Sequence, residues 1–255
     1  TGEERIYEEN SRIISSTVEM LDIDQEYDVA VIDEAQMIAD PDRGHSWTRA
    51  ILGVRSPEIH VCMSPSAERV ILHLISLCQD EWEIRRYERK TALCCEDHPF
   101  SFPEDVQEGD ALIVFTKRAV LDIAGRLERG GVHASVIYGS LPPEIRRRQI
   151  QLFSSQKTKV VVSTDAIGMG LNLPVKRIVF IQTKKFDGNG VRPLKTSEIR
   201  QIAGRAGRFG IYDVGDVTAV GEEGLQYIRE RFSEPDPEIT YVSLGFPQVL
   251  LDMDE

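Results

Sequence analysis

The chain lacks most of what would tie it to a membrane or an oxidising compartment. Its 255 residues include only four cysteines, Cys62, Cys78, Cys94 and Cys95, at no framework spacing, so reduced thiols are expected rather than a disulfide scaffold. Cys95 and His98 have the spacing of half a zinc site, but no second pair follows at ligand distance and no metal is expected there. The purely apolar runs are stubs such as 111–115 and 160–162, far short of the ~18 residues a membrane span needs, and no charged-then-apolar leader opens the sequence. Wholesale disorder is excluded as well, since 41% of residues are hydrophobic and 28% charged. At about 150 residues per domain, this length predicts two units in a soluble, intracellular protein.

Positive charge is also scarce overall: the formal net charge is −12, which at face value argues against a nucleic-acid partner. The distribution reverses that reading. Residues 1–110 hold 10 basic and 25 acidic side chains, residues 111–210 hold 18 and 6, and residues 211–255 hold 2 and 11. A cationic middle block between anionic flanks either tracks a phosphate backbone locally or solvates helix faces.

Strand-like runs recur at 27–32, 59–63, 111–115, 134–137, 159–163, 177–181 and 216–220, several nearly continuous in apolar character, as strands buried on both faces are. Helical periodicity lies between them. Val70, Ile71, Leu74 and Leu77 share one face, as do Val120, Ile123, Ala124 and Leu127 before a stop at Gly130-Gly131, and Pro142-Pro143 opens a third helix. Alternating strand and helix predicts an α/β fold built on parallel sheets. The polar stretch 91–110 reads as a linker and 233–238 as a hinge, giving expected domains at 1–95 and 96–232 with an extension over 233–255. The first domain offers only two clear strands, so it is expected to be truncated at its N-terminus.

Three stretches carry chemistry. After the run 27–32 come Asp33-Glu34-Ala35-Gln36, where carboxylates at the carboxyl end of a parallel strand either hold Mg²⁺ and accept a proton from water, or cap the next helix. Gln201-Ile202-Ala203-Gly204-Arg205-Ala206-Gly207-Arg208 pairs two arginines three residues apart, expected on one helical face, with two glycines that leave a bare backbone there. Bidentate recognition of a γ-phosphate gives that pattern a purpose. Between them, Ser163-Thr164-Asp165-Ala166-Ile167-Gly168 follows a strand, where Thr164 and the glycine amides either meet a phosphate oxygen or form only a tight loop.

Together with Met63-Ser64-Pro65 and Ile113-Val114-Phe115-Thr116-Lys117, these stretches resemble motifs II to VI of the superfamily 2 helicases, whose fold is two tandem RecA-like domains. Thr1-Gly2-Glu3-Glu4-Arg5, Val136-Ile137-Tyr138-Gly139-Ser140-Leu141-Pro142-Pro143 and the 165–173 stretch narrow the resemblance to the RNA helicases of the mitochondrial degradosome and their bacterial relatives. The resemblance implies an ATP-dependent, 3′-to-5′ helicase acting on RNA, with DNA as a second option, in the mitochondrial matrix or bacterial cytoplasm, with an exoribonuclease as partner.

By that resemblance Asp33 and Glu34 serve the metal, Glu34 as base for the attacking water, and Gln201, Arg205 and Arg208 serve the γ-phosphate. Gln36, Ser64, Asp165 and Gly168 serve the nucleotide. Thr1, Gly2, Arg5, Thr116, Lys117, Tyr138, Gly139, Ser140 and Thr164 would line the nucleic-acid groove, with Tyr138 either stacking a base or packing, and Trp47 buried. One departure stands out: no Gly-x-x-x-x-Gly-Lys-Ser/Thr occurs, so the phosphate-cradling loop is missing from these residues. The 255-residue chain alone is therefore expected to hydrolyse ATP barely or not at all. The alternative is a catalytically silent nucleic-acid-binding or interaction module on the same fold.

Overall fold

A computed structural model describes residues 12–168, 170–208 and 210–245. The chain divides into two compact units, Thr1–Arg86 with Pro237–Glu255, and Tyr87–Asp236.

In the first unit two short strands, β1 (Ala30–Ile32) and β2 (Ile59–Val61), pair in parallel with Ala30 opposite Ile59. Two helices, α1 (Gly44–Gly53) and α2 (Glu68–Cys78), bury Trp47, Ala50, Ile51, Ile71 and Leu74 in the core that also takes Ile32 and Ile38. Residues 237–245 return to this unit. Ile239 N–H donates to Ser66 O at 2.8 Å and Ser243 N–H to Ile38 O at 3.0 Å, while Ile239 and Val242 pack on the core. The stretch expected to begin a separate extension is thus part of the first unit's packing.

The second unit is a six-stranded, all-parallel sheet. Its strands are β3 (Ala92–Cys95), β4 (Asp110–Ile113), β5 (Ala134–Ile137), β6 (Val160–Ser163), β7 (Arg177–Phe180) and, after a small antiparallel hairpin of β8 (Lys184–Phe186) and β9 (Val191–Pro193), β10 (Val214–Ala219). The order across the sheet is β3-β10-β7-β4-β6-β5. The central strands β4, β6 and β7 are buried throughout, which is why their sequences are continuously apolar rather than alternating. Four helices cover the sheet: α3 (Lys117–Arg129), α4 (Pro143–Ser154), α5 (Thr196–Ala203) and α6 (Glu222–Ser233). Thr116 begins α3 by accepting the Ala119 N–H at 3.1 Å, a cap contributing about 1 kcal/mol, and Val120, Ile123 and Leu127 form its buried face.

The units meet in sequence at Arg86 and Tyr87 rather than at the expected 95/96. The reason is β3: 92–95 is an edge strand that pairs with β10 from Val214↔Ala92 onward, not part of a linker.

A buried ion pair lies inside the second sheet. Asp110 is 1% exposed, and Arg177 beside it on β7 grips it with Nε and Nη2, both at 2.8 Å. Arg177 also donates to Glu96 at 3.0 Å and to Asp105 O at 2.8 Å, and its guanidinium sits 5.1 Å from the Phe100 ring centroid. Burial pushes the Asp110 carboxyl up, against the pull of the Arg177 hydrogen bonds. Removing one partner strands the other charge in a dry interior. Asp110→Ala is therefore expected to destabilise the chain by about 3–5 kcal/mol, read as a lower urea midpoint.

Candidate active site and nucleic-acid interface

In the first unit the acidic motif leaves β1 through a strained residue. Glu34 has φ 54° and ψ 38°, the left-handed region that side chains other than glycine, asparagine and aspartate rarely adopt. That turn projects Asp33 and Glu34 from the strand's carboxyl end. Asp33 Oδ1 accepts the Glu34 N–H at 2.9 Å, and the buried Trp47 donates its indole N–H to Asp33 O at 2.9 Å. Trp47 thus packs beneath the motif, as the sequence suggested.

The Gln36 amide donates to the Glu34 carboxylate and accepts the Ser64 N–H at 3.1 Å; Ser64 Oγ in turn lies 2.6 Å from Ser66 Oγ. Motifs II and III are therefore wired together within the unit. Cys62 lies close enough to Asp33 for its thiol pKa to be pushed up, mainly by burial and then by that carboxylate. Thr1, Gly2 and Arg5, expected in the nucleic-acid groove, lie outside the described residues.

In the second unit three neighbouring strands, β4, β6 and β5, end together, with Ile113 and Ile137 both opposite Ser163. Their carboxyl ends bring Thr116, Lys117, Tyr138, Gly139, Ser140 and Thr164 to one edge. Thr116, Lys117, Gly139 and Ser140 are exposed. The Lys117 ammonium stands 5.4 Å from the Tyr138 ring centroid, while Tyr138 packs on the core beneath. Thr164 is the least accessible of the set at 7% exposure, and its hydroxyl accepts the Ala166 N–H at 3.3 Å.

The arginine motif departs from its expected geometry. Helix α5 ends at Ala203, so Arg205 and Arg208 sit on a turn beyond it and not on a helical face. Gly204 caps the helix, and beyond it Gly207 turns the chain with φ 70° and a backbone so close to its neighbours that a Cβ would lie 2.6 Å from Gly215 N on β10 and from Thr91 Cγ2. The bare backbone expected there does approach another surface, and that surface belongs to the same unit.

The turn still brings the predicted residues together. Gln201 lies against Gly168, where a Cβ would fall 3.3 Å from Gln201 Cγ, and Arg205 donates to Gly168 O. Arg208 makes no side-chain hydrogen bond or ion pair among the described residues. A recess of about 220 Å³ opens here, lined by Arg89, Lys90, Thr91, 171–173 and 204–208.

Asp165, beside Gly168, pairs with Lys185 of the hairpin at 2.9 Å. Lys185 also reaches Glu198 on α5 at 3.0 Å, and Arg192 holds both Glu198 oxygens at 2.9 Å. No sequence signal marked this hairpin: Lys185 and Arg192 lie outside every motif, and only their opposite charge to Asp165 and Glu198 hints at the pairing. Against the cost of burial, Arg192, the Lys195 N–H and Lys185 hold the Glu198 carboxyl down at about 2. Because the folded value lies below the ordinary one of 4.5, this stabilisation is complete above pH ~4.5 and disappears as pH falls toward 2. Acid unfolding followed by circular dichroism should show that loss between pH 4.5 and 2, and Glu198→Gln should remove it, flattening the profile by up to about 3 kcal/mol.

Both units thus present polar motifs at the carboxyl ends of parallel strands, where open α/β sheets bind ligands, as in RecA-like domains. Comparison with known proteins agrees. The DEXQ-box helicase domain of Suv3 matches residues 1–87, and the helicase conserved C-terminal domain matches residues 90–210. The chain is thus similar, over residues 1–210, to a Suv3-type DEXQ-box helicase domain followed by a helicase C-terminal domain.

Among its relatives, the mitochondrial ATP-dependent RNA helicase SUV3 of Oryza sativa subsp. japonica is 41% identical over 97% of this chain and 43% of its own length. The mitochondrial SUPV3L1 helicase of Homo sapiens is 40% identical over 93% of this chain and 32% of its own. The chain therefore spans about a third to two-fifths of these relatives. S. cerevisiae Dbp5 bound to RNA and ADP BeF3 shares the fold, with a TM-score of 0.57 at 18% identity over 83% of this chain and 59% of that one. Among the described residues no helix is long and apolar enough to cross a membrane, and no group of three or more His, Cys, Asp or Glu could hold a metal.

Proposed function

We propose that this chain forms the core of an ATP-dependent RNA helicase motor that moves 3′ to 5′. The observation that carries the reading is the cation-lined recess at 204–208, where Arg208 has no protein partner among the described residues and Arg205 reaches Gly168 O, against which Gln201 also packs. A guanidinium left unpaired beside a second one suits a phosphoanhydride better than it suits folding.

In this reading Asp33 would hold magnesium, with Glu34 beside it in the chain as a second hard oxygen donor of the kind that ion takes. The metal, when bound, would neutralise phosphate charge. Glu34 accepts the proton of the attacking water, and Gln201 orients that water or meets the γ-phosphate. Arg205 and Arg208 stabilise charge on the transferring group, Asp165 and Gly168 meet the nucleotide, and the Gln36–Ser64 link passes its state to the rest of the first unit.

The strand-end edge with Thr116, Lys117, Tyr138, Gly139, Ser140 and Thr164 takes the nucleic-acid backbone, joined by Thr1, Gly2 and Arg5. Backbone contacts of this kind do not read sequence, so DNA is a second substrate for the same groove. A mitochondrial location follows the relatives' names, and an exoribonuclease partner belongs to this proposal on family resemblance.

The test is RNA-stimulated ATP hydrolysis by the full-length protein. Stimulated turnover supports the motor; RNA binding without hydrolysis would instead select a silent binding module. For the groove itself, Lys117→Ala is expected to weaken RNA binding evenly across sequences and to reduce the slope of log K against log[salt] by about 0.7. An unchanged slope would remove Lys117 from the interface.

A further inference from the structure

Both arginines assigned to the triphosphate lie beyond the end of helix α5. The Arg205 and Ala206 N–H groups bond back to Ile202 O and Ala203 O at 3.0 Å, which ties the start of the turn to the helix, but the Gly204 and Ala206 carbonyls take their partner from elsewhere in the unit. One side of the turn is seated by backbone contact: Gly207 N–H donates to Val175 O at 2.9 Å, and the Gly207 backbone rests on Thr91 and Gly215.

The other side is held by one side chain that precedes β3. Arg89 Nε donates to Thr91 O at 2.8 Å, Nη1 to Gly204 O at 2.8 Å, and Nη2 to Ala206 O. All three nitrogens are spent on main-chain carbonyls, two of them in the turn. A planar guanidinium can fork across such acceptors, whereas the point charge of a lysine cannot. Arg89 also sits near enough to Arg205 for that like charge, after burial, to lower its pKa. The two cations therefore tolerate each other in a recess that Lys90 and Arg208 also line.

We propose that Arg89 is a positioning residue for nucleotide hydrolysis, its guanidinium fixing the 204–208 turn so that Arg205 and Arg208 line the phosphate recess. The inference rests on the hydrolytic reading above, and two measurements separate the failure of one from the failure of the other.

The first needs no activity. Hydrogen exchange of the 205–208 amides in this chain is expected to speed up about 10-fold in Arg89→Lys while the amides of α3 keep their rates. Unchanged exchange at 205–208 would overturn the positioning role.

The second is steady-state ATP hydrolysis by the full-length protein with saturating RNA. Arg89→Lys and Arg89→Met are each expected to lower kcat about 10-fold, with KM for ATP changing less than about 3-fold. In an Arg208→Gln background Arg89→Met should cost no more than about 2-fold further, because it acts through the turn. Full additivity overturns the inference. So does an unchanged kcat in Arg89→Lys when Arg208→Gln is itself defective, and in that case the hydrolytic reading survives. An Arg208→Gln protein with undiminished kcat brings down both. Should Arg89→Met fail to fold, the lysine variant and the exchange rates still decide.

Discussion

Arg208→Gln in the full-length protein is expected to lower RNA-stimulated kcat for ATP hydrolysis by about 10³-fold or more. The proposed role is that of an arginine finger, a cation that meets charge as it develops on the transferring phosphoryl group, and loss of such a group costs about 10³–10⁵ in rate. The structure gives reason to rank Arg208 above Arg205. Arg205 already donates to Gly168 O, whereas Arg208 has no side-chain partner among the described residues, so removing it should leave no protein group stranded. Stability should therefore be nearly unchanged, and KM for ATP should move far less than kcat, as expected for a contact made mainly in the transition state. Steady-state kinetics beside a thermal melt checks this. A kcat within 10-fold of the parent would take Arg208 out of the reaction.

Glu34→Gln is expected to lower the same kcat by about 10²–10⁴-fold while leaving ATP and RNA binding close to the parent's. The substitution keeps the length of the side chain and a polar end for Gln36 to bond, but removes the capacity to take a proton. If Glu34 were only a structural cap at the end of β1, the amide would serve nearly as well and turnover would persist. Single-turnover hydrolysis with bound RNA distinguishes the two outcomes, since it reads the chemical step apart from product release.

The sequence shows the buried parts of this protein more clearly than its edges. Strands β4, β6 and β7 are wholly buried, so runs such as Val160-Val161-Val162 announce themselves without help from the rest of the chain. Strand β3 does not, because it is half exposed, lies at the sheet edge and pairs with a strand more than a hundred residues away. Its pairing partner, not its composition, makes it a strand. The hairpin of β8 and β9 is charged and short, and it is held by Lys185 and Arg192 reaching groups on other elements.

The candidate site divides in the same way. The residue types and their order were legible, down to the grouping of Gln201, Arg205 and Gly168. The placement of the two arginines was not, since the spacing 201–208 suits a helix throughout whereas α5 stops at Ala203, ahead of both, and Gly207 then turns with positive φ. Arg89 carried no signal at all, because it acts on backbone carbonyls and no side-chain pattern encodes them.

Glu34 shows how such a site coexists with folding. Glycine at this position would relax the left-handed backbone and free about 1 kcal/mol, and asparagine would recover part of it. A chain shaped only for durability would drift toward those residues. Under the role proposed for Glu34 the carboxylate would be kept on an unfavourable backbone for what the side chain does, whereas Gln79 and Gln156 hold a similar φ outside every motif.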